Sequence, residues 1–238
     1  MGTGFGPITT LVGNYLLKRI VNNAKLVYLR DQVSVDFANG CCGENDINLT
    51  SDIVLSLINE NIVKPKKETL DRIGLHLGQL TSEVEINVVR TLCSYLNEQN
   101  YSVTMVMDNF DETELLISKK IADEFGFKLQ EYNNSISDFI ESYKDLDIVI
   151  TTKLHAGILG YTAGVVPISL PAHPKSKRFY DQIGMSDHCL ELSKSGAIGC
   201  IELLKSFDNE KVFELMNAKR KDVYDLQQKM YTAIADYL

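Results

Sequence analysis

Lys153 and His155 stand two positions apart in the run Thr151-Thr152-Lys153-Leu154-His155-Ala156-Gly157, immediately after Ile148-Val149-Ile150. A short apolar run followed by small residues reads as a buried strand handing over to a helix. This spacing puts a cation and a titratable imidazole at the carboxyl end of a strand, beside a helix N-terminus. Ligands of open α/β sheets bind at such strand ends, and the free N–H groups and dipole of the helix favour an anion there. An imidazole both gives and takes a proton near neutral pH, as general acid–base work requires. A second basic cluster, Lys175-Ser176-Lys177-Arg178, follows one strand later. The stiff turn Pro171-Ala172-His173-Pro174 before it would aim those cations back at the same place.

Each of these residues also has a plainer reading. His155, flanked by Leu154, Ala156 and Ile158, fits a histidine filling a core corner with one hydrogen bond. Lys153 fits a surface loop, and Lys175, Lys177 and Arg178 fit a solvated first turn of a helix. The pairing of Lys153 with His155 at a strand-to-helix junction favours chemistry for those two. The remaining histidines, His76, His173 and His188, have no metal-ligand partner at a familiar spacing. The opening Gly2-Thr3-Gly4-Phe5-Gly6-Pro7 follows no strand, so it is no dinucleotide fingerprint, and no GxxxxGK[ST] phosphate loop exists.

Bulk properties narrow the field. The 238 residues suffice for one large domain, or one domain and part of another. A net charge of -8 and a pI of about 5.1 argue against nucleic-acid partners, and make a local basic site for an anion stand out. Five cysteines without paired spacing fit reduced thiols and a cytoplasmic location. No apolar run has the length of a transmembrane segment.

The elements that must position the site are predicted by periodicity and capping signals. Helix is expected over Ile8 to Asn22, strand over Lys25 to Leu29, and a brief helix capped by Asp31 toward Phe37. Ile53 to Leu57 reads as another strand. From Asp71 onward strand and helix alternate. Strands are expected at Arg72 to Leu77, Ser102 to Met107, Asp147 to Thr151, Val166 to Leu170 and His188 to Leu192. Helices are expected after Ser82, over Asp111 to Phe125, over Ile136 to Tyr143, from His155 to Gly164, and over Lys175 to Ile183. Ser82-Glu83-Val84-Glu85 has capping-box form, with Val84, Val88, Leu92 and Leu96 at helical spacing. Such alternation implies an α/β doubly wound parallel sheet. The expected division is 1–60 as the last elements of a first α/β domain, 61–70 as a linker, 71–208 as a Rossmann-like donor-binding domain, and 209–238 as a C-terminal helix.

With these residues on the page, the chain resembles the polysaccharide pyruvyl transferase family. The resemblance runs most strongly from Asp147 to Gly184, through a strand, a basic-Leu-His motif, and a turn ending in Pro174-Lys175. It extends to the glycine-proline opening, to Arg30-Asp31-Gln32-Val33-Ser34, and more weakly to Thr50-Ser51-Asp52. The family commonly has arginine where this chain has Lys153, which gives up a forked, bidentate grip for a point charge. Family members are two-domain, GT-B-like enzymes, so the chain is expected to be a C-terminal portion.

The resemblance implies transfer of an enolpyruvyl unit from phosphoenolpyruvate to sugar hydroxyls, forming a pyruvate ketal in cell-surface polysaccharide biosynthesis. His155 would supply the proton. Lys153, Arg30 and Lys175, with Thr152 and Arg178, would hold the anionic donor. The acceptor would be a sugar or a lipid-linked saccharide, with no metal and no cofactor beyond the donor. Two alternatives stay open: a GT-B nucleotide-sugar glycosyltransferase or epimerase, or a non-catalytic truncated remnant. An incomplete first domain would expose apolar surface, so self-association is a further expectation.

Overall fold

Thr10, whose hydroxyl accepts from the Gly13 amide at 3.1 Å, opens helix α1 (Leu11–Asn23). The computed structural model describes every residue except 1–3, 5–7, 9, 43–45, 59–68, 79, 109–110, 132–135, 172–174 and 238. Most of the predicted linker and most of the glycine-rich opening therefore lie outside the described residues. The chain divides into two compact units, Met1–Asn61 with Ala218–Leu238, and Ile62–Asn217.

In the first unit, β1 (Val27–Leu29), α2 (Gln32–Cys42) and β2 (Ile47–Leu49) form a β-α-β element with parallel strands, Val27 opposite Ile47. Leu17, Val21 and Cys42 pack with Val27 and Ile47, while Leu29, Val35 and Ala38 fill a second small core. Leu11, Val12, Tyr15, Leu16 and Ile20 of α1 are exposed. The strand expected at Ile53–Leu57 is instead a 3₁₀ turn. Asp52 caps it, accepting from the Val54 amide at 3.2 Å, and this local bond holds the apolar run in a turn.

The second unit holds one parallel sheet in the order β5-β4-β3-β6-β7. Its strands are β3 (Arg72–His76), β4 (Ser102–Met107), β5 (Lys128–Glu131), β6 (Ile148–Thr151) and β7 (Val166–Ser169). Between them run α3 (Glu83–Glu98), α4 (Glu112–Phe125), α5 (Ile136–Tyr143) and α6 (Leu154–Ala163). Then come α7 (Lys175–Gln182), α8 (Lys194–Lys205) and α9 (Asn209–Ala235), whose residues from Ala218 onward belong to the first unit. β3 is first in the chain and central in the sheet. The strands therefore run outward one way to β5 and the other way to β7, which makes the sheet doubly wound.

Local signals behave as physics requires. Ser82 and Glu85 close a reciprocal capping box at the start of α3. Val88, Leu92 and Leu96 are buried, but Val84 in the first turn is 74% exposed. Asp111 caps α4 by accepting from Thr113 and Glu114 amides. Gly164 ends α6 with φ of 81°, in the left-handed conformation that a glycine adopts at a helix end. The strand expected from His188 is a 3₁₀ turn (Ser186–His188) followed by a single bridge, Ser169 with Cys189. The His188 imidazole bonds the Pro167 carbonyl oxygen at 3.1 Å, anchoring that turn. At the sheet end away from the site, Arg72 grips Asp147 through two guanidinium hydrogen bonds, locking β3 to β6.

Candidate active site

The sheet reverses its winding between β3 and β6, and at this switch point the carboxyl ends of β4, β3 and β6 lie side by side. Strands here are buried on both faces, so the polar residues that follow them are the first chemistry the chain can offer. They are Asp108 after β4, His76 at the end of β3, and Thr152 and Lys153 after β6.

Two threonines fix the loops. The Thr151 hydroxyl donates to the His76 carbonyl at 2.7 Å and accepts from the Lys153 amide at 2.9 Å. The Thr152 hydroxyl donates to the Gly78 carbonyl at 2.5 Å and accepts from the Gly78 amide at 2.8 Å. Thr152 is buried, and its hydroxyl braces the loop after β3. Gly78 leaves room for the lysine stem, because a Cβ there would lie 1.9 Å from Cε of Lys153 and the side chain would have to shift.

Lys153 is the N-cap residue of α6 and offers no side-chain cap to its first amides. Its ammonium turns instead to two carboxylates, 2.8 and 3.0 Å from the oxygens of Asp108 and 2.5 Å from Oε2 of Glu114. Burial pulls its pKa down, but hydrogen bonds to Asp108 and Glu114 outweigh this, and the net shift is upward. Behind Asp108 stands His76, with Nε2 3.1 Å from Oδ2 of Asp108 and Nδ1 2.8 Å from the Tyr143 hydroxyl. Phe139 packs edge-on against both rings.

Burial lowers the His76 pKa and raises that of Tyr143 well above its ordinary value, so the imidazole is neutral and the phenol protonated. The tautomer follows. Tyr143 donates to Nδ1, and Nε2–H donates to Asp108. Burial alone would raise the Asp108 carboxyl, but the bonds from His76 and Lys153 prevail and hold it at about 2.

The predicted site residues are distributed as follows. His155 lies in the first turn of α6 and is exposed, which removes its core-corner reading. Lys175 opens α7 and is exposed, and Arg178 in the same helix is half-buried. α7 follows β7 as α6 follows β6, so it starts from the same end of the sheet. Lys177 pairs with Asp181 at 3.4 Å. His173 and Pro174 lie outside the described residues.

Arg30 belongs to the first unit. Its guanidinium is 3.0 Å from Asp52, and a Cβ on Gly4 would lie 2.6 Å from its Nε. Asp31 accepts from the amide and hydroxyl of Ser34, both at 2.8 Å, and so caps α2. Gly4, Arg30-Asp31, Ser34 and Asp52 thus form one knot.

His76, Asp108, Glu114 and Tyr143 did not emerge from the sequence. Asp108 carried a usable signal, as the first polar residue beyond the apolar end of β4. Among the described residues no cluster of His, Cys, Asp and Glu is arranged to hold a metal ion. No described helix is long and apolar enough to cross a membrane.

Structural comparison places the fold among GT-B glycosyltransferases and epimerases. UDP-GlcNAc 2-epimerase from Neisseria meningitidis, bound to UDP-GlcNAc, aligns with a TM-score of 0.62 at 9% identity, over 99% of this chain and 68% of its own. A glycosyltransferase from Rickettsia africae aligns at 0.60 and 16% identity, over 97% and 68%. A point mutant of S. aureus TarM aligns at 0.58 and 10% identity, over 98% of this chain. The chain spans about half the length of TarM, 48%. No curated protein matches in sequence. The polysaccharide pyruvyl transferase family model matches residues 1–174, and the chain belongs to that family.

Proposed function

We propose that the switch point of the second unit receives phosphoenolpyruvate and serves transfer of its enolpyruvyl group to two hydroxyls of a saccharide. One hydroxyl oxygen adds to C2 while C3 takes a proton and becomes a methyl group. Phosphate then leaves, and the second hydroxyl closes the ketal. Of the two hydroxyl protons displaced, one balances the methyl and the other departs with phosphate. The reaction needs a proton donor at C3 and fixed positive charge for the phosphate and carboxylate.

The observation carrying this reading is the placement of Lys153-Leu154-His155 at the N-terminus of α6, beside the sheet's switch point. His155, exposed in the first turn, is the proton donor. Lys153 and the first amides of α6 hold the phosphate, and Thr152 braces their loop from behind. Lys175 and Arg178 add positive charge for the carboxylate. The acceptor is a sugar or lipid-linked saccharide of cell-surface polysaccharide synthesis, made on the cytoplasmic side. The reaction involves no redox step and requires no cofactor.

Thermal-shift titration with phosphoenolpyruvate against UDP- and GDP-sugars tests the reading. Stabilisation by phosphoenolpyruvate is expected. Stabilisation by a nucleotide sugar alone would overturn it in favour of a glycosyltransferase or epimerase.

A further inference from the structure

Helix α1 is apolar on two sides. Its inner side buries Leu17 and Val21 against Cys42, Val27 and Ile47. Its outer side carries Leu11, Val12, Tyr15, Leu16 and Ile20, each between 51% and 88% exposed. A helix that is apolar all round is ordinarily buried all round, so the outer side calls for a covering surface.

The area fits a second copy of the chain. The five residues lie at i, i+1, i+4, i+5 and i+9, which makes one continuous stripe along the helix. At those exposures they present roughly 600 Å² of surface, the top of the range that an ordinary monomer leaves in one patch. Doubled across two copies, the stripe reaches about 1,200 Å², where specific, stable interfaces begin.

The spacing fits a second copy as well. Arg19 is exposed on the same side, and with it the stripe occupies residues 11, 12, 15, 16, 19 and 20, a pattern that reads the same from either end. A two-fold axis between Tyr15 and Leu16 therefore sets Leu11 opposite Ile20 of the second copy, Val12 opposite Arg19, and Tyr15 opposite Leu16. Arg19 can lay its aliphatic stem over Val12 and keep its charge in water. The two Arg19 side chains then stand about 10 Å apart along the helices, whereas a parallel pairing would set them face to face.

We propose that the exposed side of α1 is the interface of an antiparallel homodimer, with its two-fold axis between Tyr15 and Leu16. The inference makes no use of the donor site.

Sedimentation of the full chain over a concentration series tests it. Wild type is expected to be dimeric at about 100 μM and to dissociate on dilution. Leu16→Glu brings two carboxylates together at the axis and is expected to weaken the dimer about 100-fold. Val12→Glu reports the orientation, because its carboxylate meets Arg19 of the second copy; the dimer should stay within about threefold of wild type, or tighten. Circular dichroism checks that each variant is folded. Should Leu16→Glu lose the fold, Ile20→Glu replaces it and is expected to weaken the dimer likewise. A monomer at every concentration would assign the face to a different partner and overturn the proposal. Assemblies larger than a dimer, a Leu16→Glu protein as dimeric as wild type, or a Val12→Glu protein as weak as Leu16→Glu would also overturn it.

Discussion

Arg30 in the first unit and Lys153 in the second are cations of nearly equal exposure, 21% and 20%, each held by an aspartate that is itself 9% or 13% exposed. Beyond that first contact they differ. The aspartates around Arg30 are also bonded to backbone. Asp52 caps the 3₁₀ turn through Val54, and Asp31 caps α2 through Ser34. Around Lys153, Asp108 meets side chains, the His76 imidazole and the ammonium itself, at the ends of strands. A carboxylate that caps a turn through backbone amides cannot leave without melting it. The same pairing of residue types thus caps backbone in one unit and gathers side chains at strand ends in the other.

That contrast can be broken most forcefully at Asp52. Asp52→Ala strips Arg30 of its partner and the 3₁₀ turn of its cap, and is expected to cost about 3 kcal/mol in urea unfolding. A loss below about 1 kcal/mol would mean that the first-unit knot is not structural. Gly78→Ala should behave in the opposite way. The new methyl meets the flexible stem of Lys153, so stability falls by less than about 1 kcal/mol, while donor affinity drops about tenfold. Equal donor affinity in this variant would remove Lys153 from binding.

A smaller effect comes from pH. Burial depresses the folded pKa of His76 and of His188 below 6.5. The unfolded imidazoles take up protons that the native ones refuse, so stability is full above pH 6.5 and declines as pH falls below it. His76→Gln should shallow that decline in a melting-temperature series, with His188 retaining the remainder. A second decline, as pH falls from 3.8 toward about 2, belongs to Asp108, whose folded carboxyl is held at about 2. Asp108→Asn should lose it.

The sequence showed most of the scaffold because its signals are local. The Ser82–Glu85 box, the Asp111 cap, Gly164 and the apolar core of β6 each act within a few residues. Ile53–Leu57 misled because an apolar run carries no mark of the Asp52 cap that bends it. β2 and β5 passed unnoticed, one only three residues long and the other a largely exposed edge strand with lysine and glutamate at its ends.

Lys153 was legible as a cation at a strand end. Its ion pair was not, since Asp108 lies 45 residues away in the chain and reaches it only through strand order. His76, read as an ordinary strand histidine, gained its part from Tyr143, 67 residues further on. Arg30-Asp31-Gln32-Val33-Ser34 was legible as a motif, while its split into an ion pair and a helix cap required coordinates.

The central claim, proton delivery to a three-carbon donor from the first turn of α6, meets its most direct test in one measurement. Conversion of phosphoenolpyruvate and a saccharide diol is followed by NMR through the ketal methyl signal, for wild type and His155→Ala at saturating donor. Turnover about 100-fold slower in His155→Ala, with donor affinity within about twofold of wild type, is the expected result. Equal turnover in the two proteins would contradict it.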